Sequence, residues 1–217
     1  MSDYTLVIGN KNYSSWSLRP WLWMKQVGIP FTEKRVALYT DTYKEELQPY
    51  FSNSKVPVLQ DGELIVWDTL AILEYLAEKH PEANGWPADS RARAVARSIS
   101  AEMHSSFTAL RQAMPMNCRK VFPDFNYDDI VQQDIERICE LWAYCRDEFG
   151  SEGPWLFGAF SMADATYAPV ALRFQTYDVG LSSIAREYVN TMLENPHLAE
   201  WIEAGINEPE IIAQSEV

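Results

Sequence analysis

The sequence predicts a small mixed α/β domain followed by an all-helical one. Three observations carry this. Strand-like and helix-like stretches alternate through the first 80 residues, with Asp61-Gly62 between two apolar runs as a hairpin signal. The segment His80-Pro-Glu-Ala-Asn-Gly-Trp-Pro87 has the composition of a linker. Beyond it, apolar side chains recur at spacings of three and four, the period of helices. The domains are therefore expected over 1–80 and 89–217, joined by 81–88.

Taken in order, Tyr4-Thr-Leu-Val-Ile-Gly9 is a β-branched run and reads as a buried strand. Gly9-Asn-Lys-Asn-Tyr-Ser-Ser15 is a loop by composition. A helix then runs to about Val27, with Gly28 as its left-handed cap and Pro30 preventing continuation. Its start is open between Ser17 and Arg19 as N-cap. Either choice keeps Pro20 in the first turn, where its missing N–H costs no helical bond. Glu33–Leu38 reads as a second strand, and 40–54 is polar. Val56–Gln60 and Glu63–Trp67 form the hairpin, after which Asp68 or Thr69 caps a helix with Leu70, Leu73, Leu76 and Ala77 on its apolar face. In the second domain, Val95, Ile99, Met103, Phe107, Leu110 and Met114 mark one long helix, and Ile135 to Phe149 a second. Ser161-Met-Ala-Asp164 is a capping-box pattern opening a third, and shorter helices are expected near 182–194 and 196–205.

Composition narrows the function. The 217 residues are 47% hydrophobic and include 8 Trp, 11 Tyr and 9 Phe, ample for a core. There is no apolar run of the roughly 18 residues that a membrane span needs, and no basic-then-apolar leader. Three cysteines make no disulfide framework, so a reduced, cytoplasmic setting is expected. A net charge of −13 argues against nucleic acid and anionic lipid as partners. The charge is uneven. Residues 1–60 hold seven basic and five acidic side chains, net +2, which leaves −15 for the rest. A spared segment of this kind suits an anionic ligand.

Three places bear chemistry. The hydroxyls of Ser14, Ser15 and Ser17 precede or open a helix, where unpaired N–H groups and the helix dipole favour negative charge, although serines there also serve simply as caps. Lys55-Val-Pro-Val58 enters the hairpin with a proline, which means an edge strand or a cis peptide. In the cis case Val56 can offer its backbone to an extended ligand. Asp68-Thr69 is an N-cap, or a carboxylate and hydroxyl holding a ligand with both an ammonium and a carboxylate. His80, His104 and His197 share no metal spacing, and no metal is expected.

This combination resembles the glutathione transferase superfamily along essentially the whole chain. The matching pieces are S-S-W-S-L-R at 14–19, G-I-P-F at 28–31, K-V-P-V-L at 55–59, D-T-L-A-I-L-E-Y-L at 68–76 and S-M-A-D at 161–164. The resemblance implies a thioredoxin-like N-terminal domain, an all-α C-terminal domain, a homodimer and glutathione as co-substrate. It aligns Ser14 with the catalytic serine of the serine-type classes, zeta- or theta-like, with Ser15 as the fallback. It pairs Val56, ahead of a cis Pro57, with the cysteinyl backbone of glutathione. Asp68 and Thr69 would hold the γ-glutamyl end, where the family more often shows Glu-Ser, and Lys44 and Lys55 the glycyl carboxylate. The implied chemistry is detoxification: a serine-stabilised thiolate attacks a hydrophobic electrophile. Tyr13, Trp16, Met103, Phe107 and Met114 are assigned to the electrophile pocket, with core packing as the alternative for the last three. Trp16 stands where the maleylacetoacetate isomerases have Cys, so isomerase activity is open but not favoured. Dehalogenase, peroxidase and non-catalytic binding roles are the other readings.

Overall fold

The computed structural model describes residues 4–217. Its N-terminal sheet has the order β2-β1-β3-β4, built from β1 (Tyr4–Ile8), β2 (Thr32–Arg35), β3 (Val58–Asp61) and β4 (Leu64–Trp67). β1 runs parallel to β2 and antiparallel to β3, and β3 and β4 form the Asp-Gly hairpin with Gly62 at φ +58°. Alternation along the strands sorts side chains to two faces. Leu6, Ile8 and Leu59 enter the main core, while Val7 and Val58 enter a smaller one completed by Val36, Leu47 and Tyr50. That second face is covered by the short α2 (Tyr43–Leu47) and the turn after it. β2 is exposed at all four residues and ends the sheet, a place where Glu33, Lys34 and Arg35 discourage further pairing.

On the other face lie α1 (Ser15–Gln26) and α3 (Thr69–Lys79), and α1 packs in turn against α7 (Met162–Thr176) of the helical part. Lying between both layers, α1 is buried nearly all round rather than on one stripe, its Ser15, Ser17 and Arg19 included, with Leu18, Trp21, Leu22, Trp23 and Met24 nearly inaccessible. The helical part comprises α4 (Ser90–Ser105), α5 (Thr108–Ala113), α6 (Asp129–Phe149), α7, α8 (Ser183–Leu193) and α9 (Pro196–Ile206). The capping box at Ser161 and Asp164 is present.

Three expectations are corrected. First, α1 begins at Ser15 with Ser14 as its cap, so Pro20 sits inside the helix rather than in its first turn. Second, β2 stops at Arg35, because Val36 N–H makes the last bond to β1 and Leu38 N–H turns to the Asn10 side chain. Third, the single helix expected from Val95 to Met114 is two. Ser106 is extended, Phe107 is left-handed at φ +56°, and Asp134 on α6 accepts the Leu110 N–H at 3.0 Å, capping α5 from another helix. The apolar period persists through the break because Leu110 re-enters the core.

Candidate active site

The loop between β1 and α1 is held by residues far away in sequence. Glu208 accepts the N–H groups of Lys11 and Asn12, and Trp201 Nε1 donates to Lys11 O at 2.8 Å. Cys118 N–H donates to Asn12 O, and Asn12 Nδ2 to Asn117 Oδ1. Gly205 lets α9 approach this closely: a Cβ there would lie 3.0 Å from Asn12 N. The loop then closes as Asn10 O accepts the N–H groups of Tyr13 and Ser14.

That turn delivers Ser14 to the α1 N-terminus, where the dipole is positive. Its hydroxyl lies 2.8 Å from Ser17 Oγ, to which it donates, and Gly9 N–H donates to the same oxygen at 3.2 Å. Ser17 is fully buried and Ser14 is half-buried. Pro20 cannot donate the N–H that Trp16 O would accept. Thr69 Oγ1 fills the place, donating to Trp16 O at 2.8 Å and tying the start of α3 to the first turn of α1. Thr69→Val is expected to leave that carbonyl unpaired and to lower stability by about 1–3 kcal/mol, read as a lower denaturant midpoint at unchanged slope.

Asp68 caps α3 from φ +74°, its Oδ1 accepting the Leu70 N–H, while Oδ2 meets His104 Nε2 at 2.7 Å. His104 therefore belongs to the site. Only a contact between the sheet domain and the helices reveals it, since the sequence shows no more than a histidine without metal spacing. The Val56-Pro57 peptide is cis, and Pro57 precedes β3, an interior strand rather than an edge.

These residues line two adjoining cavities. One, of about 670 Å³, is walled by Tyr13, Ser14, Ser15, Lys44, Val56 and Ile212 among others. The second, of about 420 Å³, holds Pro57, Asp68, Thr69 and His104, and Trp16, Lys55 and Val56 line both. Most basic groups of the first sixty residues are already engaged. Lys11 pairs with Glu33, Lys25 with Glu200, Arg35 with Glu208 and Glu210, and Arg19 is buried. Lys44 and Lys55 form no ion pair among the described residues, and both face the groove. Met103, Phe107 and Met114 do not line it. They are 0%, 5% and 0% exposed in the main core, so of the two readings, pocket or core packing, the structure gives core packing and corrects the pocket assignment. Cys118, Cys139 and Cys145 are free thiols that burial pushes up to about 12, 11 and 12, so none supplies a thiolate.

Comparison with known proteins gives the same frame. Residues 13–79 match the family model for the glutathione S-transferase N-terminal domain, and residues 100–204 the model for its C-terminal domain. The chain belongs to the glutathione S-transferase superfamily. A glutathione S-transferase of Arabidopsis thaliana is 29% identical over 174 residues, 76% of this chain; the chain spans 63% of that relative's length. A maleylacetoacetate isomerase of Rattus norvegicus is 28% identical over 183 residues, 77% of this chain and 76% of its own. A glutathione transferase homolog from Burkholderia, solved with bound glutathione, superposes with a TM-score of 0.70 at 22% identity, covering 93% of this chain and 97% of that one. The glutathione S-transferase fold, a thioredoxin-like sheet domain followed by helices, is thus the architecture of this protein. No helix among the described residues is long and apolar enough to cross a membrane, and no cluster of metal-ligating side chains is found there.

Proposed function

We propose that the protein is a glutathione transferase that activates the thiol of glutathione through Ser14. The observation that carries this is the pair of adjoining cavities, joined at Trp16, Lys55 and Val56, that take in Ser14 at one end and Asp68, Thr69 and His104 at the other. Glutathione has a group to match each of these parts. Its thiol lies at Ser14, its cysteinyl backbone along Val56, its γ-glutamyl ammonium at Asp68, and its glycyl carboxylate at Lys44 and Lys55. The Thr69 hydroxyl is committed as a donor to Trp16 O, so Thr69 serves the ligand through its backbone N–H or as an acceptor.

A free thiol ionises near pH 8.5 and is only a few per cent thiolate at neutrality. Ser14 lowers that threshold by donating to sulfur at the positive end of α1. Reorienting two protons suffices. With Ser17 donating to Ser14 across the 2.8 Å contact, the Ser14 O–H is released toward sulfur. Gly9 N–H continues to hold Ser17 Oγ. The chain from Gly9 to Ser17 to Ser14 polarises each member in the same sense.

Asp68→Asn is expected to raise KM for glutathione about tenfold while kcat changes little, because the ammonium it binds is remote from the sulfur. Calorimetric binding of glutathione and steady-state rates with an aryl halide, an organic hydroperoxide and maleylacetone test the reading. Absence of glutathione binding would leave only a non-catalytic role, and turnover confined to maleylacetone would make the protein an isomerase. The reading includes a cytoplasmic homodimer packed between the N-terminal domain of one subunit and the helices of the other. Phe51, 81% exposed and edge-on to Trp67, supports such a contact.

A further inference from the structure

Beside the groove lies a smaller cavity of about 240 Å³, and it is cationic. Tyr13, Ser15 and Trp16 line both spaces, so the cavity adjoins the thiol end of the groove. Its remaining walls come from α5, the segment after it, and α7, and include Arg111 and Arg173 but no acidic side chain. Neither arginine forms a salt bridge among the described residues. Arg173 is 4% exposed; its Nε donates to Met114 O at 2.7 Å and its Nη1 to Pro169 O at 3.3 Å, and Nη2 has no acceptor among the described residues. Arg111 spends one donor on Ser106 O and lies over the Trp16 ring at 4.9 Å.

Two guanidinium groups drawn out of water beside each other, with no carboxylate between them, are costly. Burial lowers Arg111, and burial with the Arg111 charge lowers Arg173 to about 10, which leaves both cationic at neutral pH. Arg19 adds a third cation to this cluster: burial lowers it, with the charges of Arg173 and Arg111 acting in the same direction, and its Nη2 is buried without a partner among the described residues. It is 1% exposed, lines none of these cavities, and bridges α1 to α7 through Thr166 O. Arg111 and Arg173 differ because they line the open cavity, whose wall also carries Tyr13 and Ser15, the neighbours of Ser14.

We infer that this cavity is the electrophile subsite and that it takes an electrophile bearing a carboxylate, with Arg111 and Arg173 as its counter-ions. The inference rests on the reading of the groove as a glutathione site. It changes the expected substrate from a wholly apolar molecule to an anionic one. An aryl halide shows the step. The glutathione thiol loses its proton to solvent, the sulfur forms a bond to the halogen-bearing carbon, and chloride leaves with the electron pair. The carboxylate takes no part except to anchor the ring.

The test compares chloronitrobenzoate with its methyl ester as substrates, and unreactive nitrobenzoate with its methyl ester as ligands, by calorimetry on the glutathione-loaded protein. The wild type is expected to favour the carboxylate about 10-fold or more in both measurements, and Arg111→Gln to reduce that preference about 10-fold. Arg173→Lys, which keeps the charge but loses the fork, is expected to reduce it by less. A carboxylate preference in binding with no turnover would uphold the subsite and sink the transferase reading. Equal handling of acid and ester, or an undiminished preference in Arg111→Gln, would overturn the subsite while leaving glutathione binding intact.

Discussion

Asp164→Ala is expected to cost about 3–5 kcal/mol of stability, the largest folding effect of any single side chain discussed. The carboxylate is fully buried and accepts four hydrogen bonds: Leu156 N–H at 3.1 Å, Ser161 N–H at 2.8 Å, Ser161 Oγ–H at 3.0 Å and Tyr188 O–H at 3.1 Å. Its removal strands two backbone N–H groups and two hydroxyls at the head of α7, the helix against which α1 packs. Chemical denaturation followed by circular dichroism measures the loss. Asp164→Asn keeps the volume but turns an amide donor toward donors, so it is expected to lose less than alanine yet remain destabilised.

The same carboxyl gives a pH signature. Burial raises it to about 6 despite the hydrogen bonds that pull it down, whereas in the unfolded chain it titrates near 4. The folded state therefore holds the proton more tightly. The stability this group adds is complete below about pH 4 and is lost as pH rises through about 6. The difference in unfolding free energy between wild type and Asp164→Asn is expected to narrow by up to about 3 kcal/mol from pH 4 to pH 7. A constant gap would mean that the carboxyl does not titrate in that window.

For activity, Ser14→Ala carries the largest expected effect: a fall in kcat/KM of about 100-fold, the scale seen when one donor to a developing or standing anion is removed. The loss should sit mostly in kcat near neutral pH and shrink at high pH, where glutathione ionises without help. Ser17→Ala should follow in the same direction but more weakly, since it leaves Ser14 without the partner that orients its proton. Ser15→Ala is the internal comparison. Its hydroxyl also borders the groove, and a larger loss there than at Ser14 would move the catalytic role one residue along.

The order of elements was legible because its signals are local: the Asp61-Gly62 turn, the Ser161 and Asp164 pair, and the Gly28 and Pro30 stop each act within a few residues. What sequence missed depends on distant partners. Pro20 sits inside α1 because Thr69, 53 residues from Trp16, gives the Trp16 carbonyl the bond that proline cannot. The α4–α5 break answers to Asp134 on α6, and spacing alone made Met103, Phe107 and Met114 look like either core or pocket. His104 was invisible as a site residue because its partner, Asp68, lies in the other domain. The mild basicity of the first sixty residues suits an anionic ligand without naming which cations would meet it. The ion pairs of Lys11, Lys25 and Arg35, the burial of Arg19 and the Lys34 bond to the Tyr50 hydroxyl reduce it to the two lysines that face the groove.

The most direct test of serine activation is the thiol pKa of bound glutathione, titrated by the ultraviolet absorbance of its thiolate in the wild type, Ser14→Ala and Ser15→Ala. The expected wild-type value is about 7 or below, against about 8.5 in solution, with Ser14→Ala returning it to near the solution value and Ser15→Ala leaving it low. A bound thiol that titrates identically in wild type and Ser14→Ala would contradict the proposal.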